Sequence, residues 1–127
     1  MEIERTGLIL YTDRYETCVI FYRDAVGLAV LFETAELTCF DFGGSYLMVE
    51  REGIARPSGK NTFENPTCLR FNVKDVKRCA QILRDRGIEV NYQEHSWGAV
   101  AKFFDPDGNI CALRDETSFA AQIVEDV

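Results

Sequence analysis

The chain has a single histidine, His95. A centre built on two or three imidazoles is therefore out of reach. His95 sits in "QEHSWG", a stretch that reads as a loop. No two of the five cysteines form a C-x-x-C pair, so neither a zinc knuckle nor a disulfide framework is indicated. Cys18, Cys39, Cys68, Cys79 and Cys111 read as small buried apolar residues in a reducing compartment. Basic residues are the minority: 14 Lys and Arg against 21 Asp and Glu, a net charge of −7. Such a surface repels phosphate backbones and anionic lipid, which argues against nucleic acid and membrane partners and leaves room for a cationic ligand. No apolar run approaches the roughly 20 residues that cross a bilayer. "MEIERTGLIL" has no basic segment leading into a long apolar one, so no signal peptide and a cytoplasmic location are expected.

What is present is enough for one globular domain spanning 1–127, and the chain says nearly the same thing twice. "LILYTDRYETCVIFYRDAVGLAVLF" and "LRFNVKDVKRCAQILRDRGIEVNY" each open on a strand-like run ending in Asp13 or Asp75. Each continues with helical periodicity, reaches Arg-Asp, and stops at Gly27 or Gly87 before another β-prone run. Tyr15, Cys18, Val19, Tyr22 and Val26 form the first apolar stripe; Val76, Cys79, Ala80 and Leu83 form the second. Asp13 is the expected cap of the first helix, with Glu16 completing a capping box, and Asp75 caps the second. Three strands should follow each helix, at about 28–34, 36–42 and 45–51, then at about 88–93, 99–104 and 109–114. Gly43-Gly44 and "DPDG" supply the turns. The expectation is an α+β fold: two β-α-β-β-β modules, about 5–51 and 67–115, forming one curved eight-stranded mixed sheet around a cavity. Residues 52–66, rich in Gly, Pro, Asn and Ser, read as a linker, and the last dozen as a short helix or tail.

The tandem repeat, "FYRDAVGL" after the first helix and "WG" followed by "FFDPDGN" before the last strand resemble the vicinal oxygen chelate superfamily. That group includes glyoxalase I, extradiol dioxygenases, methylmalonyl-CoA epimerase and bleomycin-resistance proteins. The resemblance covers residue 5 to about 115 and speaks to fold more than to function. It implies one metal ligand from the first and one from the last strand of each module, drawn from His, Gln and Glu. Carried over by offset from Asp13, Asp75 and "DPDG", the four seats are Thr6, Met48, Cys68 and Ala112. Ala112 has no donor atom, Thr6 and Met48 are poor ligands for borderline divalent ions, and one thiol cannot hold such an ion alone. A metal-free site is the expectation, with no cofactor.

Strand alternation extends the lining from those seats. Leu8, Leu10 and Ile110 would add apolar surface; Tyr46, Glu50, Arg70, Asn72 and Arg114 would add polar groups. Glu50 and Arg70 read either as a mutual ion pair or as a base and an anion clamp. Cys68 reads as an inert thiol or a nucleophile, and Trp97 as packing or as a stacking platform for a ligand. The candidate ligand-binding set is Tyr46, Met48, Glu50, Cys68, Arg70, Trp97 and Arg114. Asp105, Asp107, Gly108 and Asn109 read as turn chemistry. The function this implies is small-molecule binding, with sequestration of a ligand in a homodimer as in bleomycin-resistance proteins. The alternatives are a lyase, epimerase or dioxygenase using non-standard ligands such as Glu50 and His95, and a metal-free enzyme working through Arg70 and Glu50.

Overall fold

The structure, a computed structural model, describes residues 1–125. The first module runs β1 (Gly7–Thr12), α1 (Tyr15–Ile20, continued by a wider π-type turn over Phe21–Val26), β2 (Val30–Glu33), β3 (Leu37–Phe42) and β4 (Ser45–Arg51). The second runs β5 (Leu69–Val73), α2 (Val76–Asp85), β6 (Asn91–His95), β7 (Gly98–Phe104) and β8 (Ile110–Asp115). A final helix, α3 (Glu116–Glu125), occupies the tail. The chain is thus α+β with tandem β-α-β-β-β modules. Its eight strands form two four-stranded mixed sheets, ordered β1-β4-β3-β2 and β5-β8-β7-β6, rather than one continuous ladder. In each, the first strand pairs in parallel with the last strand of its own module, and the other pairings are antiparallel. Two compact units result: Met1–Ser58 with Pro106–Gly108, and Gly59–Asp105 with Asn109 onward.

In the first unit Leu10, Thr12, Thr38, Phe40, Leu47 and Val49 are buried, as are Tyr15, Cys18, Val19, Phe21 and Tyr22 of the helical segment. The Tyr15 hydroxyl and Thr38 Oγ1, 2.7 Å apart, satisfy each other inside this core. In the second unit Leu69, Ala101, Phe103, Cys111 and Leu113 lie under Val76, Ala80 and Leu83 of α2. Cys68 and Cys79 depart from the buried reading of the cysteines: Cys68, just before β5, is exposed and Cys79 is half-exposed.

Asp75 caps α2 as expected, accepting from the Arg78 amide at 3.0 Å. Gly27 and Gly87 end the two helices with φ of 87° and 85°, a conformation costly for any residue with a Cβ. Asp13 does not cap α1. The N-cap residue is Arg14, and no side chain of its own caps the helix. Instead Asp107, fully buried, accepts from the Asp13 amide at 2.7 Å and the Arg14 amide at 2.9 Å. Glu16 is drawn off to Arg51 at 2.8 Å, so no capping box forms.

Candidate functional site

Each sheet has one face against its helix and a second, the open face, that mixes exposed residues with buried ones, Cys39 on the first sheet and Val100, Ala112 and Arg114 on the second. On the first sheet the helix face takes Leu47 and Val49, and the open face takes Tyr46, Met48 and Glu50, all half-exposed. The β1 register pairs Gly7 with Tyr46, Ile9 with Met48 and Tyr11 with Glu50. The open face of β1 is therefore Gly7, Ile9 and Tyr11, not Thr6, Leu8 and Leu10. Ile9 and Tyr11 are 43% and 50% exposed, while Leu10 is buried. The misplacement follows from the cap. Counting back from Asp13 starts one residue early, and a shift of one residue moves every strand side chain to the other face. Counted from Arg14, the seat is Gly7. A Cβ at Gly7 would run into the Tyr46 ring, so that ring occupies the place where a ligand side chain would project.

The second sheet follows the expected faces. Leu69, Phe71 and Val73 point to α2, with Phe71 stacked on Phe103 at 6.5 Å between centroids, while Arg70 and Asn72 stand exposed on the open face. Arg70 pairs with Ala112, and Ala112 in turn with Lys102 of β7. Lys102 was not singled out from sequence; it became visible only through the β7–β8 register. Among the described residues neither Arg70 nor Lys102 makes a side-chain hydrogen bond or ion pair. Asn72 donates to Glu116 Oε1 at 3.0 Å. The Cys68 thiol is pushed up by burial, with Arg70 and Lys102 pulling the other way. A raised thiol is a poor nucleophile at neutral pH.

Two structures bound this open face. At one end Phe104, on the same side as Lys102 and Ile110, is 46% exposed and meets the linker, where a Cβ at Gly59 would lie 2.7 Å from its ring. At the other end α3 folds over Arg114. This guanidinium is 3% exposed and donates to the Trp97 carbonyl, Ser118 Oγ and Gln122 Oε1 at 3.0, 3.1 and 3.0 Å. It lies 4.6 Å from the Trp97 ring and 5.8 Å from the Phe119 ring. Gly98 allows this approach, since a Cβ there would strike Ser118 Oγ and lie 2.6 Å from Asp115 Oδ2. Arg114 and Trp97 therefore hold α3 to the sheet. His95 ends β6 rather than sitting in a loop; its ring stacks on Trp97 at 4.6 Å and its Nε2 meets Gln93 Oε1 at 2.9 Å.

Asp115 ties the same corner together. It accepts from the Ser118 amide at 2.7 Å and the Ala99 amide at 2.8 Å. Hydrogen bonds from Ser118, first its hydroxyl and then its amide, and from Ala99 hold its carboxyl down at about 2, with Arg114 adding to the effect.

The donor set does not suit the divalent metal that the resemblance implies. The seats are Gly7, Met48, Cys68 and Ala112, and their one good donor is a thiol. Among the described residues no three His, Cys, Asp or Glu side chains come together as a possible metal site.

A family model described as "Glyoxalase/Bleomycin resistance protein/Dioxygenase superfamily" matches residues 3–113. YraH of Bacillus subtilis strain 168 is 29% identical over 117 residues, covering 82% of this chain and 91% of YraH. Among solved structures, the lactoylglutathione lyase of Agrobacterium tumefaciens superposes with a TM-score of 0.70 at 20% identity, covering 91% of this chain and 96% of that one. The antibiotic-binding protein TnmS3 of Streptomyces sp. CB03234 superposes with a TM-score of 0.71 at 23% identity, covering 91% and 98%. At these identities the structural likeness is one of fold. Together with a family match running almost the length of the chain, it establishes that this protein belongs to the glyoxalase/bleomycin resistance protein/dioxygenase superfamily.

Proposed function

We propose that this protein binds a small organic molecule on the open faces of its sheets, without the divalent metal on which the superfamily's metalloenzymes depend. The observation that carries the reading is Ala112. The last-strand position that would bring a carboxylate to a metal holds a methyl group, and exposed Arg70 and Lys102 flank it in register. Ala112 is itself buried and offers nothing to an ion, so what this part of the face presents to a ligand is the two exposed cations. Tyr46, Met48 and Glu50 on the first sheet, and Cys68 and Arg70 on the second, are the proposed contact residues. Trp97 and Arg114 support them by holding α3. TnmS3, described as an antibiotic-binding protein, gives a precedent for binding on this fold.

The reading includes a homodimer in the cytoplasm. Edge strand β2 leaves Val30, Leu31 and Phe32 at 39%, 54% and 49% exposure, an apolar edge of the sort that pairs with another chain. Light scattering at micromolar concentration tests the dimer, and a monomer mass contradicts it. The binding reading is tested by a thermal-shift screen of small organic molecules, repeated after dialysis against a chelator. A hit whose affinity is unchanged by the chelator supports it. A hit lost with the chelator and restored by one metal contradicts it.

A further inference from the structure

Lys102 and Arg70 stand out on a chain that carries seven more acidic than basic charges. Several cations near the sheets are engaged: Arg51 with Glu16, Arg23 with Asp24, Lys60 with Asn109 Oδ1, and Arg114 with α3. Arg70 and Lys102 lack such partners among the described residues, although both are exposed in an acidic protein. The sheet itself places them together. Arg70 lies on β5 and Lys102 on β7, directly to either side of Ala112 on β8. With neighbouring strands about 4.8 Å apart, the two Cα atoms are about 10 Å apart, within reach of two long side chains meeting above one methyl group. Both charges are felt at the Cys68 thiol, two residues before Arg70 on the same face. Two like charges held this close repel each other unless something negative lies between them.

We propose that Arg70 and Lys102 form an oxyanion-binding site over Ala112, and that the ligand of this protein carries a carboxylate or phosphate there. The proposal rests on the small-molecule reading above and gives it a ligand class. Arg70 supplies a planar fork matched to two oxygens, and Lys102 a point charge. Half-exposed Ile110 and the exposed Phe104 ring continue the same face toward the linker, giving an apolar strip for the body of the ligand. The ligand class is thus a small organic anion with an apolar or aromatic body. This differs from the cationic ligand that the net charge by itself suggests.

The test is isothermal titration of the full chain with phenyl phosphate, benzoate and neutral benzamide. The variants are Arg70→Gln, Lys102→Gln and, as a charge-matched control on the exposed side of α2, Lys77→Gln. The proposal expects at least one of the two anions to bind at least tenfold more tightly than benzamide. That affinity should fall at least tenfold in Arg70→Gln and in Lys102→Gln, stay unchanged in Lys77→Gln, and weaken with added salt. Circular dichroism of the variants should match the parent, because both side chains are exposed. Benzamide binding as well as the anions, or anions binding equally to all variants, overturns the anion site and leaves the small-molecule reading standing. No binding of any probe up to millimolar concentration counts against both.

Discussion

Asp107 Oδ2 accepts a hydrogen bond from the Asp13 amide at 2.7 Å, across 94 residues of sequence. Together with the Arg14 amide on the other carboxylate oxygen, this places a buried negative group at the amino end of α1, where the exposed N–H groups and the helix dipole favour it. The second Asp of "DPDG" is thus a helix cap delivered from the far end of the chain. Its neighbours are similarly committed: Asp105 accepts from the amide and the side chain of Asn109, whose own Oδ1 accepts from Lys60 and Asn65.

Removing that cap should be costly. Asp107→Ala leaves two part-buried amides without their acceptor, and a loss of about 1–2 kcal/mol is expected. Asp13→Ala, the residue that sequence pattern nominated, should cost under about 0.5 kcal/mol, as expected of surface positions. Urea unfolding of the two variants side by side decides between them.

The face assignment of β1 can be checked in the same way. Leu10→Ala should destabilise by about 2–4 kcal/mol, as expected of a buried leucine. Ile9→Ala, one residue earlier on the open face, should cost clearly less, about 1 kcal/mol, since 43% of Ile9 stays exposed. If Ile9 proved the more costly of the two, the register drawn here would be wrong.

The corner built by Asp115 should be sensitive to acid. Its carboxyl lies at about 2 in the folded chain against an ordinary 3.8, so its stabilising effect is complete above about pH 4 and is lost as pH falls toward 2. Trp97, the single tryptophan, reports on this corner, and its fluorescence should change over that window in the parent. In Asp115→Asn the change should be absent and α3 already loosened.

Arg114→Met tests the strap from the other side. The substitution keeps much of the apolar stem but removes the Nη2 group that donates to the Trp97 carbonyl, Ser118 Oγ and Gln122 Oε1. Faster amide exchange confined to 116–125 is expected, with the helix face of the second sheet unaffected. Uniform protection across α3 in the variant would show that its apolar contacts alone hold it.

Much of the architecture was legible because local signals repeated. The helical stripes and the glycine stops occur in both modules, and each module has one marked turn before its last strand, Gly43-Gly44 in the first and "DPDG" in the second. Thr6, Leu8 and Leu10 were misplaced because α1 takes its cap from Asp107 rather than from Asp13, and nothing local to "YTDRYE" reports a partner so distant. Lys102 was missed for a related reason. On its own strand it is an ordinary exposed lysine; only lateral pairing puts it beside Arg70. The partners of Arg114 depend on how the tail folds, and no pattern in "ETSFAAQIVEDV" says that it returns over β8.

The central claim is that a superfamily fold here works with seats that hold no metal. Its most direct test is calorimetric titration of chelator-treated protein with zinc, nickel and manganese. Gly7, Met48, Cys68 and Ala112 offer one good donor where a catalytic site needs about three. The account predicts no stoichiometric binding tighter than the weak surface association of an acidic protein. One equivalent of metal bound at submicromolar affinity, and lost in Glu50→Gln or His95→Ala, would contradict it.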